Sequence, residues 1–479
     1  MPTSASDLRW VVAGALFVLL ATANGATYRY GGSDQAFYIP AVIKALDPAT
    51  FPRDGSLIDA QGALIVADDA VALAMRATGA SLETLFLAGY ILSLALTWAG
   101  IVSIGSRVYA NPWVTLALGA AFTLRHRIPQ TSANSFEPYF HPRMVAFGIG
   151  LLAIGAFLRQ RYWWTIALVA AAAVAHATTA LWFALLLGVA IAVASRAFRP
   201  VIVGGGVLVA AFLAWAALAG PLRESLVVMD DVWLQAVASK DSLFADQWPP
   251  WVWAANLGML ALLWWLHRGP LTWGATALVA FFLLTFPFVL GRIHFFVEFQ
   301  ISRVFWVIDF LATVYLLARI AAWRPRAGRA LAAVLVAASI GRGLFIVHVQ
   351  NPERPLFATR LAATPWHDAM RWLQAQPVDV HVLADPGHAW KHGTSVRVSA
   401  GRDVFLEEVK DSALAIYSRD VAHRVVERTQ AVGDFTRLTA DRALELAGQY
   451  DLDYLVTTSE LSLPLAYSNR EFHIYRLRE

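Results

Sequence analysis

The sequence predicts a polytopic α-helical membrane bundle of about eleven transmembrane helices, with a C-terminal extracytoplasmic α/β domain. Three observations predict it. The 479 residues are 58% hydrophobic and only 15% charged, with a mean hydropathy of +0.53, far from a soluble average. Apolar runs long enough to cross a hydrocarbon core, about 20 residues each, recur from Trp10 to Val347. From Asn351 onward the pattern turns soluble, which sets a transmembrane domain over 1–348 and a compact domain over 349–479.

The first apolar run starts at Trp10. Arg9, the stretch to Leu20 and the small residues Ala21-Thr22-Ala23 also fit a cleaved secretory signal, but a multispan chain needs none, and retention as a first helix is favoured. An outer loop over 25–80 follows. It opens with YRYGGSDQAFYIP, Tyr28 to Pro40, which offers Asp34 beside the Gly31-Gly32 pair. Asp47 and Asp54 come next, in a stretch where Pro48 and Pro52 block a continuous helix. Residues 63–78 are amphipathic, carry Asp68, Asp69 and Arg76, and read as an interface helix.

Spans are expected at 82–104 and 111–124, before an outer loop over 125–142, and again at 143–158. The apolar stretch 162–194 is too long for one span, and His176-Ala177-Thr178-Thr179 splits it into two helices that meet at His176. A span at 201–219 leads to a loop over 220–250 that carries Asp230, Asp231, Asp241 and Asp246. Spans at 251–266 and 271–290 precede the loop 291–303, GRIHFFVEFQISR, and spans at 304–320 and 330–347 complete the bundle. In the C-terminal part, helices are expected at 366–375, 412–428 and 439–449, and strands at 380–384, 454–457, 463–467 and 472–477.

Charge sets the orientation. With the N-terminus cytoplasmic, Arg107, Arg159, Arg161, Arg196, Arg199, Arg268 and the Arg324–Arg329 connection all fall inside, as the positive-inside rule requires. The long loops and the C-terminal domain then fall outside. The net charge of +4 and pI near 9.3 would suit nucleic acid, but the basic residues sit in short connections, and membrane orientation explains them better. The absence of cysteine excludes disulfides, thiolate nucleophiles and Cys-ligated zinc.

Ionisable groups at the ends of spans are costly unless they face a cavity or one another. The expected outer ends carry Asp34 and Glu137 as candidate general bases. His141 and His176 could act as acid, base or donor, and Arg143, Arg292 and Arg303 as anion binders, with Glu298 nearby. The alternative is that the basic groups snorkel to headgroups and the carboxylates are solvated. Asp309, about two turns inside a span, could pair structurally with an arginine such as Arg303 or orient it toward a ligand, and the structural role is favoured. Trp248, Trp251 and Trp253 could stack on a sugar ring. Asp451-Leu-Asp453, and His388 and His392 with His381 nearby, read as structural rather than metal-binding. Gly204–Gly206 lies inside a span and is no phosphate loop.

An acidic residue in the first outer loop, many short spans and a C-terminal external α/β domain resemble the GT-C superfamily of lipid-linked-sugar glycosyltransferases. The runs DQAFYIPAVIKALDPATFPRD, HPRMVAFGIGLLAIGAFLRQRYWWTIALVAAAAVAHATTAL and FQISRVFW are similar to segments of bacterial GT-C-like membrane proteins. The resemblance implies a protein of the bacterial inner membrane. It maps the acceptor-activating base to Asp34 and suggests Arg143, His176 and Arg303 as binding positions. The chain lacks the adjacent Asp-Glu pair of protein mannosyltransferases and the WWD-type motif of oligosaccharyltransferases. The implied partners are a polyprenyl-phosphate sugar donor, an acceptor and membrane lipids, with no nucleic acid. No cofactor is demanded, and a divalent metal stays open. A transporter, or a catalytically inert scaffold of the same build, is the alternative. Transporters place ionisable groups near mid-membrane and show repeated halves, and neither feature is evident in this sequence.

Overall fold

A computed structural model of the chain describes residues 5–62, 66–220, 222–240, 242–323 and 326–478. Asp241, Arg324 and the start of the expected 63–78 helix, at 63–65, lie outside the described residues. The chain divides into two compact units. The first comprises residues 1–28, 88–228 and 241–357; the second comprises 29–87, 229–240 and 358–479. The second unit, the one of soluble composition, thus takes in the first long loop and a short piece of the third, besides the C-terminal chain.

Six helices among the described residues are long and apolar enough to cross a membrane: Leu82–Val108, Ala177–Ala194, Arg196–Leu218, Pro270–Leu290, His294–Trp323 and Ala327–Gln350. The chain is a helical membrane protein on that basis. The other five expected spans are also helices, but shorter: Leu8–Asn24, Pro112–Thr123, Pro142–Leu158, Tyr162–Ala175 and Pro250–Leu266. Pro112–Thr123 has 12 residues, about 18 Å of helix against a core of about 30 Å.

Local chemistry sets where these helices start. Pro112, Pro142, Pro250 and Pro270 each stand in the first turn, where a missing N–H costs nothing. Asn111 and His141 accept a backbone N–H as caps, from Trp113 and Arg143. The break at 176 has the same cause. His176 is extended, ends Tyr162–Ala175 and caps Ala177–Ala194 by accepting from the Thr179 N–H. Pro142–Leu158 packs against Tyr162–Ala175, and Ala177–Ala194 against Pro270–Leu290. Close approach requires glycine at two points. A Cβ on Gly148 would stand 2.7 Å from Leu96, and one on Gly150 would stand 2.3 Å from Phe183. Phe147 stacks on Trp306, ring centroids 4.0 Å apart, and ties Pro142–Leu158 to Val304–Trp323.

The soluble unit is built on a five-stranded sheet in the order Asp403–Val404, His381–Ala384, Tyr454–Thr457, His473–Arg476, Leu465–Ser468. The first three strands are parallel and the last two pair antiparallel. Val382, Val456 and Ile474 form its core with Trp366, Met370 and Leu373 of the helix Pro365–Gln374. One expected helix differs. The stretch 412–428 is divided between Glu408–Leu414 and Arg419–Val432, because Ser418 takes an extended conformation and caps the second helix through Val421.

Candidate functional site

In the membrane unit, a short antiparallel pairing of Arg127–Ile128 with Ala133–Asn134 turns the loop after Pro112–Thr123 and sets Glu137 in place. Glu137 is buried. It accepts from Arg143 Nη2 at 2.7 Å and from Asn134 Nδ2 at 3.3 Å, with Arg125 Nη2 at 3.5 Å. A buried carboxylate held by two arginines and an amide is a positioning group for those arginines rather than a free base.

Arg143 is therefore fixed at the first turn of Pro142–Leu158. The ring of His141 lies 6.2 Å from that of His176. Both Arg143 and Arg303 act electrostatically on His176. The Phe147–Trp306 stack explains why: Arg143 precedes Phe147 by about one turn, and Arg303 precedes Trp306 by about one turn. The N-termini of Pro142–Leu158, Ala177–Ala194 and Val304–Trp323 thus meet with two arginines and two histidines. His176 Nδ1 accepts from the Thr179 N–H at 3.3 Å, so in the neutral ring the proton sits on Nε2, which is a donor. Helix N-termini, guanidinium forks and an imidazole N–H are the groups that bind a phosphate.

The other sequence candidates stand elsewhere. Arg292 makes a two-pronged ion pair with Asp246, at 2.9 and 2.8 Å, and stacks 4.3 Å from the Phe244 ring centroid. Glu298 accepts from Ser225 Oγ at 3.0 Å and lies 3.5 Å from His294 Nε2. Asp309 pairs with His126 Nε2 at 2.7 Å, because the loop after Pro112–Thr123 brings that imidazole to it. Trp248 is buried and stacks on Phe282, so it serves the core and not a sugar, while Trp251 is exposed.

In the soluble unit, Gly31 takes a φ of +79° and its N–H donates to Gln35 Oε1 at 2.7 Å, which turns the chain into the helix Gln35–Leu46. Asp34 stands at the head of that helix without capping it. Its Oδ1 instead accepts from Lys410 Nζ at 2.9 Å, and that ammonium lies 5.1 Å from the Phe37 ring. Lys410 was not singled out by sequence because 376 residues separate the pair.

A second buried constellation in this unit was also invisible in sequence. Asp54 and Arg397 are both fully buried, and Arg397 Nε donates to Asp54 Oδ2 at 2.7 Å. Arg397 also forms a two-pronged pair with Asp411, at 2.6 and 3.1 Å. Arg424 completes the socket on Asp54, which also accepts from the Val404 N–H. Burial opposes ionisation of Asp54, but Arg397 and Arg424 outweigh it and hold the carboxyl well below its usual range. Glu407 lies 3.7 Å from Arg397, and burial pushes it up to about 7. Asp403 is pushed up to about 6 by burial and by Asp54. Asp451 pairs with Arg478, and Asp453 accepts from the His381 N–H. His388 binds the Asp385 carbonyl through Nδ1 and the Val396 N–H through Nε2. These are structural roles, and no group of three metal-ligating side chains occurs among the described residues.

No family model and no curated protein sequence matches the chain.

Proposed function

We propose that the protein transfers a sugar from a polyprenyl-phosphate donor to an acceptor at the extracytoplasmic face of the bacterial inner membrane, as a GT-C-like enzyme. One observation carries the reading: Arg143, Arg303, His141 and His176 converge where three apolar helices begin. A polyprenyl phosphate keeps its tail in the bilayer and its phosphate at the interface, where such a group of donors binds it by charge-assisted hydrogen bonds. In this reading Arg143 and Arg303 hold the phosphate and the His176 Nε2–H donates to it. The general base, for which the resemblance offers Asp34, takes the acceptor hydroxyl proton as that oxygen attacks the anomeric carbon, and the bond from that carbon to the lipid phosphate breaks. Glu137 keeps Arg143 in place.

The eleven expected spans would all cross the membrane, the short ones where it thins around the bundle. The N-terminus would be cytoplasmic, and the α/β domain would stand outside. Transfer from polyprenyl-phosphate sugars, measured with the wild type and Asp34→Asn, tests the reading. Loss of about 10²–10⁴-fold is expected for a general base. Unchanged turnover would remove Asp34 from the chemistry, and no transfer with any donor would favour a scaffold.

A further inference from the structure

A cavity of about 920 Å³ in the membrane unit lies away from the Arg143 cluster. It is a groove between four helices. Ala5–Asn24 lines it along one face with Trp10, Gly14 and Val18, and Leu82–Val108 does so with Ala95, Ala99 and Val102. Small residues form its floor, so no side chain of the protein fills it. Its size falls at the upper end of the about 300–1,000 Å³ typical of ligand clefts.

One end of this groove is cationic. Arg159 and Arg161 line it, beside Trp164, Ser103 and Ser106. Arg159 is held by neutral oxygens: Ser103 O at 2.9 Å, Ser103 Oγ at 3.0 Å, Gly155 O at 2.7 Å and Ser106 Oγ at 2.7 Å. No carboxylate pairs with it among the described residues, and the charged groups that act on it are Arg107 and Arg161. The sequence explains the imbalance, because residues 84–223 contain one carboxylate, Glu137. Glu137 sits with Arg143, at the opposite end of Pro142–Leu158 from Arg159 and about 24 Å away along the helix.

We infer that this groove binds one anionic phospholipid, its acyl chain along the floor and its phosphate on Arg159 and Arg161. An apolar trough with a basic mouth matches an amphiphile in both parts, whereas a free phosphate would leave the trough empty. Trp164, 65% exposed, stands where an interfacial indole meets headgroups. The site is independent of the catalytic reading above, and its test does not involve sugar transfer.

Native mass spectrometry of the full chain, equilibrated with equal amounts of phosphatidylglycerol and phosphatidylcholine, reads the inference. One phosphatidylglycerol should be retained at detergent levels that strip phosphatidylcholine, and added inorganic phosphate should not displace it. The Arg159→Gln/Arg161→Gln double variant should lose about thirtyfold in retention, the effect of removing two basic groups at a membrane surface. Ala99→Trp, which fills the floor and spares both arginines, should lose it as well, so the outcome does not hang on the double variant folding. Equal retention of the two lipids, or retention unchanged in Ala99→Trp, would overturn the inference.

Discussion

Arg397 in the soluble unit and Arg159 in the membrane unit are both held by several hydrogen bonds, but the partners differ in kind. Arg397 meets three carboxylates, Asp54, Asp411 and Glu407. Among the described residues, Arg159 meets only carbonyl and hydroxyl oxygens. A guanidinium whose three nitrogens all meet carboxylates inside its own unit, as those of Arg397 do, has its work done there and holds segments distant in sequence together. A guanidinium held by neutral oxygens keeps its charge available for an anion from outside. The contrast separates arginines that maintain the fold from arginines that wait for a ligand.

Removing a matched arginine should therefore be the costliest change. Arg397→Met leaves Asp54 and Asp411 buried without their central cation, and should destabilise the soluble unit by about 3–5 kcal/mol. Limited proteolysis of the full chain should then cut within 395–411 while the membrane helices stay intact. If Arg397→Met is as resistant as the wild type, the socket is not what holds residues 53–54 to the C-terminal chain.

The same socket should respond to pH. Glu407 and Asp403 have raised folded values, so the stability their protons contribute is full below the ordinary carboxylate range and is lost as pH rises through about 6 and about 7. Asp54 is depressed, so its contribution is present above its ordinary value and is lost only in strong acid. Thermal midpoints of the purified chain should fall between pH about 4 and about 7, with at most about 3 kcal/mol from Glu407. Glu407→Gln should flatten that fall. An unchanged slope would mean that Glu407 is already ionised in the folded protein.

The half-buried Arg292–Asp246 pair marks the small end of the scale. Arg292→Gln should cost about 1 kcal/mol or less, since both partners reach solvent. A larger loss of transfer than of stability would move Arg292 into the group that meets a ligand.

The membrane character, the helix positions and the break at His176 were legible because hydropathy and capping act over a few residues. The strands at 454–457 and 472–477 were legible for the same reason. The division at Ser418 was also within reach, since a serine ahead of a helical run is a cap signal. What could not be read was long-range pairing. Asp54 looks like any loop carboxylate, and its partner Arg397 lies 343 residues away. Glu137 read as a candidate base until the hairpin at 127–134 placed two arginines on it. Arg159 read only as a sign of orientation, because nothing local shows that its neighbours include Ser103, Ser106 and Arg107.

The proposed role of the Arg143 cluster is tested most directly by Arg303→Gln, measured for thermal midpoint and for transfer from a polyprenyl-phosphate sugar on the same sample. A midpoint close to the wild type with transfer down by about 10²-fold or more is the expected result for an arginine that serves a ligand. Wild-type transfer in a folded Arg303→Gln protein would contradict it.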